Sequence, residues 1–215
     1  MPWTVLIPAK SLPAAKSRLA PRAADAAGHA RLVEAIRADT LSAARSATGV
    51  ARVLLVVDRP GEWAPVGAQV VVQRRDGLNA ALTDAAADAR SSWPDDGVAA
   101  LLGDLPALRP AELADALRQA ADLDAGYVPD AEGNGTTMLT AAPGRQLQPQ
   151  FGAGSAAQHA AVARLIEAGP GLRRDVDTAD DLLAAVALGL GAATREELAS
   201  AAEIPSSPGD GIVRA

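Results

Sequence analysis

The chain has 215 residues, 26 acidic and 20 basic side chains, a formal charge of −6 and no cysteine, which excludes disulfides, thiolate metal sites and a cysteine nucleophile. An acidic balance without a basic stripe excludes a general nucleic-acid surface, because phosphate neutralisation dominates that affinity. Apolar residues make up 49% and aromatic ones 2%, so the chain suits one sizeable α/β domain with a core of Ala, Val, Leu and Ile.

The opening "WTVLIP", residues 3–8, is a short apolar run ended by Pro8 and reads as a buried first strand, not a signal peptide. Residues 9–21 are loop-like, and a helical pattern follows from Ala23 to Ser46, with Leu32, Val33, Ile36, Thr40 and Leu41 at helical spacing. Strands are predicted at 51–58 and 68–73, then a helix opening at Gly77, a strand over 97–104 ending on an aspartate, and a helix over 110–122. Strand-like segments at 125–129 and 136–141 precede a predicted helix over 155–168, the segment "RRDVDT" and a helix over 179–189. "GLGAAT", 189–194, reads as the turn into one more helix, and 205–215 as a flexible tail beyond a single domain of 1–204. Strands alternating with helices predict a three-layer αβα domain with a mostly parallel mixed sheet. With no run of about 18 apolar residues, a soluble, cytoplasmic protein without membrane partners is expected, as a monomer or homodimer.

In open α/β sheets ligands bind beyond the carboxyl ends of the strands, so the polar residues after each predicted strand carry the chemistry. After the first strand, "IPAKSLPAAKSRL" holds Lys10, Lys16 and Arg18, and the other eighteen basic residues of the chain beside these two lysines are all arginine. A lysine ammonium is a compact point charge that can follow a phosphate as geometry changes, whereas arginine is a planar fork. The loop therefore reads as a phosphate site, against the plainer reading of a solvated basic loop. It is not a Walker A motif, since it lacks the glycines.

Asp104 in "LLGDLPAL" follows the fourth strand. A carboxylate there plus substrate phosphates is an ordinary way to bind Mg²⁺, and the next helix begins too far away for Asp104 to cap it. In "RRDVDTADDL" Asp175 and Asp177 stand two apart, on one side of an extended segment. Either can supply a second metal carboxylate, while Thr178 caps the following helix. Two glycine-rich turns, "PDAEGNGTTML" and "FGAGSAAQHA", would form a second anion pocket, the latter with Ser155 at a helix N-terminus. His159 falls one turn beyond Ser155 and reads as a bland structural residue, against the alternative that it faces the pocket. His29 reads as a surface residue of the first helix.

Six segments in register, "IPAKSLPAAKSRL", "RDGLNAAL", "LLGDLPAL", "PDAEGNGTTML", "FGAGSAAQH" and "DVDTADDL", resemble the guanylyltransferases of deazaflavin-coenzyme (factor-420) biosynthesis, which act on phosphoenolpyruvate or 2-phospho-L-lactate. The resemblance implies a nucleotide-diphospho-sugar transferase-like fold, GTP as co-substrate, Mg²⁺ as cofactor, and a phosphorylated small carboxylic acid as acceptor. It places Pro8, Ala9, Lys10 and Lys16 at the nucleotide, with Lys10, Lys16 and Arg18 on the phosphates and Gly77, Leu78 and Asn79 against the nucleoside. Asp104 and Asp177 would hold the metal; Thr136, chosen over Thr137, with Gly152 and Ser155 would meet the acceptor. A phosphate oxygen already ionised near neutral pH attacks the α-phosphorus, so no general base is required.

The heavy Ala, Arg, Gly and Pro usage suggests a GC-rich actinobacterial genome, where the resemblance implies phosphoenolpyruvate as acceptor. Phospholactate and phosphoglycerate remain alternatives. Another nucleotidyltransferase of the fold would open with a glycine-rich loop, which this chain lacks. A silent nucleotide-binding module would have no reason to keep both lysines and both carboxylates.

Overall fold

The strands are apolar on both faces, and each face has its own cover. Val5, Ile7 and Ala9 of β1 (Trp3–Ala9), with Val53, Leu55 and Val57 of β2 (Val50–Val57), pack in one cluster, while Leu6, Leu54 and Val56 pack in another. Successive side chains of a strand point to opposite faces, so a continuous apolar run becomes two half-cores. A computed structural model describes residues 1–9, 26–59 and 68–203. Lys10, Lys16 and Arg18, and the stretch read as a tail, lie outside the described residues.

The remaining strands are β3 (Gln69–Val72), β4 (Gly97–Leu101), β5 (Ala125–Pro129), β6 (Thr136–Ala141) and β7 (Arg164–Leu165). The sheet order is β3-β2-β1-β4-β6-β5-β7. β1 pairs in parallel with β2 and β4, β2 with β3, and β5 with β7; only β6 runs antiparallel to both of its neighbours. This is the mostly parallel mixed sheet expected.

On one face lie α1 (Ala26–Ser46) and α3 (Pro110–Ala120), with Leu172 of the short α5 (Pro170–Arg173). On the other lies α2 (Leu78–Ser92), with Leu147 and Phe151 from the segment after β6. A third cluster joins Leu32 and Ile36 of α1 to Val176 and to Leu182 and Ala185 of α6 (Ala179–Leu188). α7 (Ala192–Glu203) returns to α1, where the Asp39 carboxylate accepts from the Ala193 and Thr194 amides. A carboxylate facing the first free amides of a helix satisfies both groups and complements the dipole.

Two expectations change. The strand expected over 97–104 ends at Leu101, so Asp104 sits in the turn that follows. The helix expected over 155–168 is only α4 (Ser155–Ala160), followed by β7. Arg164 and Leu165 pair with Gly126 and Tyr127, and the Ile166 amide donates to the Tyr127 carbonyl at 2.9 Å. The open edge of β5 supplies partners for this backbone, and Ile166 becomes 99% buried there. Tertiary pairing overrides the helical propensity of an alanine-rich stretch.

Candidate active site

The site lies where β1 and β4 end, at the start of β6 and at the N-terminus of α2. Gly103, just past β4, presses on the end of β1: a Cβ there would stand 3.1 Å from the Pro8 carbonyl. The described part of β1 thus delivers Pro8 and Ala9 beside the turn that carries Asp104. α1 fixes that turn, because Thr40 Oγ1 accepts from the Leu105 amide at 3.0 Å while donating to the Ile36 carbonyl.

The second acidic segment is tied to the first through the backbone. The Val176 amide donates to the Asp104 carbonyl at 3.0 Å, and the Val176 side chain is fully buried. This anchoring leaves Asp175 and Asp177 flanking Asp104. Burial pushes the Asp175 carboxyl up to about 7, helped by repulsion from Asp104, Asp177 and Asp130. Three carboxylates crowding a fourth is a strongly electronegative arrangement that a hard dication relieves.

Asp175 also belongs to a ligand-spaced group: one carboxylate oxygen each from Asp130, Glu132 and Asp175 lies within 4.8 Å of the others. Two of these have other work. Asp130 accepts from the Asn134 and Gly135 amides at 2.9 and 2.6 Å and so shapes the glycine turn, and Glu132 pairs with Arg174 at 2.6 Å. Arg173 donates to the Pro129 and Asp130 carbonyls, which joins that turn to α5. The donors gathered around Asp175 are all carboxylate oxygens, the set that suits Mg²⁺ or Mn²⁺ rather than zinc. The residues present fit a divalent metal. Thr178 caps α6 as expected, accepting from the Asp181 amide at 3.2 Å.

The two glycine turns do meet. The Ala156 amide donates to the Asn134 carbonyl at 3.1 Å, and Ser155 Oγ donates to Thr136 Oγ1 at 3.2 Å. Thr137 points away, its hydroxyl toward the Val128 carbonyl at 3.4 Å, so Thr136 is the threonine beside Ser155. The Ser155 and Ala156 amides are both occupied within the chain, and the start of α4 offers hydroxyls more than free amides. Gly77 and Gly152 have φ of +94° and +140° with open space where a Cβ would lie, a combination that needs glycine and leaves room for close approach of a ligand.

Asn79 ties the start of α2 to the loop before Gly152. Its carboxamide donates to the Phe151 carbonyl at 3.1 Å and accepts from the Phe151 amide at 2.8 Å. Asn79 thus fixes the loop next to Gly152, and both ends of its amide are engaged. Leu78 begins α2 at the same corner.

Sequence reasoning passes over two residues of the site and underrates a third. Asp130 and Glu132 were subsumed in a glycine turn, although their two-residue spacing before Gly133 was visible. His159, for which its place in the sequence suggests a bland role, is fully buried, with Nδ1 2.8 Å from Thr136 Oγ1. Burial lowers its pKa, so the ring is neutral near pH 7.

Residues 3–203 match the family described as guanylyl transferase CofC-like. The chain belongs to this family. A phosphoenolpyruvate guanylyltransferase of Streptomyces avermitilis is 47% identical over 218 residues, covering 98% of this chain and all of that one. Among solved structures, a nucleotide-diphospho-sugar transferase-type protein of Desulfovibrio desulfuricans G20 superposes with a TM-score of 0.61 at 17% identity, over 85% of each chain. A Mycobacterium tuberculosis H37Rv protein solved with manganese gives 0.53 at 20% identity, over 87% of this chain and 99% of that one. The fold of this CofC-like transferase is therefore that of the nucleotide-diphospho-sugar transferases. Within it, the carboxylate cluster lies at the carboxyl end of the parallel strands, where this architecture binds ligands.

Proposed function

We propose that the protein transfers the guanylyl group of GTP to the phosphate of phosphoenolpyruvate in a Mg²⁺-dependent reaction, forming enolpyruvyl-diphospho-guanosine for deazaflavin-coenzyme biosynthesis. The observation that carries this reading is full-length similarity, at 47% identity, to a relative named for that acceptor. The site's chemistry supports it, with carboxylates clustered on one side and a neutral hydroxyl pair on the other.

An acceptor phosphate oxygen bonds to the α-phosphorus of GTP, the bond from that phosphorus to the β-bridging oxygen breaks, and pyrophosphate leaves with the electron pair. No proton need be removed, because the attacking oxygen is already ionised. The barrier is chiefly repulsion between anions, lowered by positioning and charge neutralisation. Asp104, Asp175 and Asp177 would hold the metal, with Asp130 bordering them; when bound, Mg²⁺ would neutralise the triphosphate and the leaving pyrophosphate.

Lys10, Lys16 and Arg18, which follow Pro8 and Ala9 in the chain, would grip the phosphates. Gly77 and Leu78 would lie against the nucleoside. Asn79, its amide already spent on Phe151, would act by holding Gly152 in place. Thr136, Gly152 and Ser155 would receive the acceptor's anionic groups. Pyrophosphate release from GTP and Mg²⁺, with phosphoenolpyruvate, 2-phospho-L-lactate and 3-phosphoglycerate in competition, tests the reading. The expected result is dominant release with phosphoenolpyruvate and a product mass of that acid plus GMP. Preference for phospholactate would overturn the acceptor, and silence with all three would overturn the activity.

A further inference from the structure

His159 sits behind the hydroxyl pair. Its ring is fully buried, packed edge-on against Phe151 at 5.3 Å and tilted against Tyr127 at 6.4 Å. Two polar contacts fix its protons. The Gln150 amide points at Nε2 at 2.9 Å, and Nδ1 lies 2.8 Å from Thr136 Oγ1. A backbone N–H can only donate, so Nε2 must accept and bears no proton. A buried ring with no carboxylate among these contacts is neutral, as the direction of its shift agrees. Its single proton is therefore on Nδ1 and is given to Thr136.

The consequence passes to Thr136. A hydroxyl has one proton to give and two lone pairs to receive with. Thr136 Oγ1 receives from His159 Nδ1, which takes one lone pair, and shares one further hydrogen bond with Ser155 Oγ at 3.2 Å. Its own proton cannot go back to the ring. The two hydroxyls carry two protons and use one between them, so one proton of this buried pair is left for an acceptor outside it.

We propose that His159 is a positioning residue of the acceptor site: its Nδ1–H fixes the hydroxyl pair of Thr136 and Ser155 as an outward hydrogen-bond donor, set in advance for an anionic oxygen of the phosphorylated acid. This rests on the proposed guanylyl transfer, because it assigns that pair an anionic partner there. Phosphate and carboxylate oxygens only accept, so a hydroxyl whose donor direction is preset loses nothing to reorientation on binding. The same ring holds the Gln150 amide, and Asn79 holds Phe151, so the loop leading to Gly152 is pinned at two successive residues.

Two substitutions separate the atoms. His159→Asn can keep a donor near the Nδ1 position but cannot reach Gln150. His159→Gln can keep an acceptor near Nε2 but places no donor against Thr136. The expected result is an acceptor KM within about threefold of wild type for His159→Asn. For His159→Gln it rises about tenfold or more, with the KM for GTP unchanged in both. A merely structural histidine would instead make KM follow the loss in melting temperature, or leave it unmoved; either pattern overturns the proposal. Long-range proton–nitrogen NMR of the wild-type protein gives a test independent of activity. The chain has two histidines, so His29→Gln assigns the signals. A neutral ring protonated at Nδ1 is expected. A ring protonated at Nε2 would refute the assignment even if guanylyl transfer is confirmed, whereas Nδ1 protonation without any transferase activity would refute the function alone.

Discussion

At the scale of single residues, the site is built from groups placed where they are uncomfortable. Asp175 is held beside Asp104 and Asp177 because the Val176 amide is bonded to the Asp104 carbonyl and the Val176 side chain is buried. Its carboxyl is pushed to about 7 by that burial and those neighbours, an arrangement with poor prospects in a purely structural role. Replacing Asp175 by Asn keeps the shape and removes the charge. The metal-free variant is expected to melt about 2–4 °C above wild type, the shift that roughly 1 kcal/mol produces in a chain of this size. Mg²⁺ should raise the melting temperature of wild type but not of the variant, and turnover should fall at least about 100-fold. Scanning fluorimetry with and without chelator, with a pyrophosphate assay, checks this; unchanged turnover would remove Asp175 from the metal site. The importance of this aspartate was half legible in the sequence. The pair Asp175 and Asp177 was visible as a motif, but which of them becomes the crowded one depends on an anchor 72 residues away in the chain.

At the scale of elements, the misread segment is the instructive one. Residues 155–168 carry a helical composition, yet the chain leaves the helix after Ala160 to pair with β5. Gly126 makes that pairing possible. A Cβ at Gly126 would collide with Ile166 Cδ1 and approach Thr140 Oγ1 to 3.0 Å, and the Gly126 amide already donates to that same hydroxyl. Gly126→Ala should therefore lower the melting temperature by about 3–8 °C, as over-packing of a closed core does. Ile166→Val in the same chain should recover part of the loss. Thermal denaturation of the single and double variants checks the coupling, and additive losses would show that the collision is relieved elsewhere. A segment's own sequence reports its intrinsic preference, whereas an open strand edge elsewhere decides whether that preference is used.

At the scale of the whole molecule, charge is distributed to a purpose. The chain is acidic overall, with a net charge of −6, and uses arginine everywhere except for Lys10 and Lys16. Many of the arginines are spent on structure. Arg52 pairs with Asp96 and lies over the Trp93 ring at 4.3 Å, and Arg174 joins Glu132 to Asp181. Amine-directed acetylation should consequently modify the N-terminus and these two lysines alone. GTP with Mg²⁺ should slow the reaction at both lysines while leaving the N-terminus unprotected, and phosphoenolpyruvate alone should not slow it. Peptide mass spectrometry reads all three sites, and equal labelling with and without GTP would detach Lys10 and Lys16 from the nucleotide. The sequence by itself determined the αβα class, most strand positions and the order of the glycine and aspartate motifs. These follow from local periodicity and residue chemistry, which are written along the chain. The tertiary structure alone decided that β7 replaces half a helix, that Asp130 borders Asp175, and that His159 stands behind the hydroxyls. Each depends on which backbone and side-chain groups the sheet order brings together, and contacts between residues far apart in sequence leave no periodic trace in it.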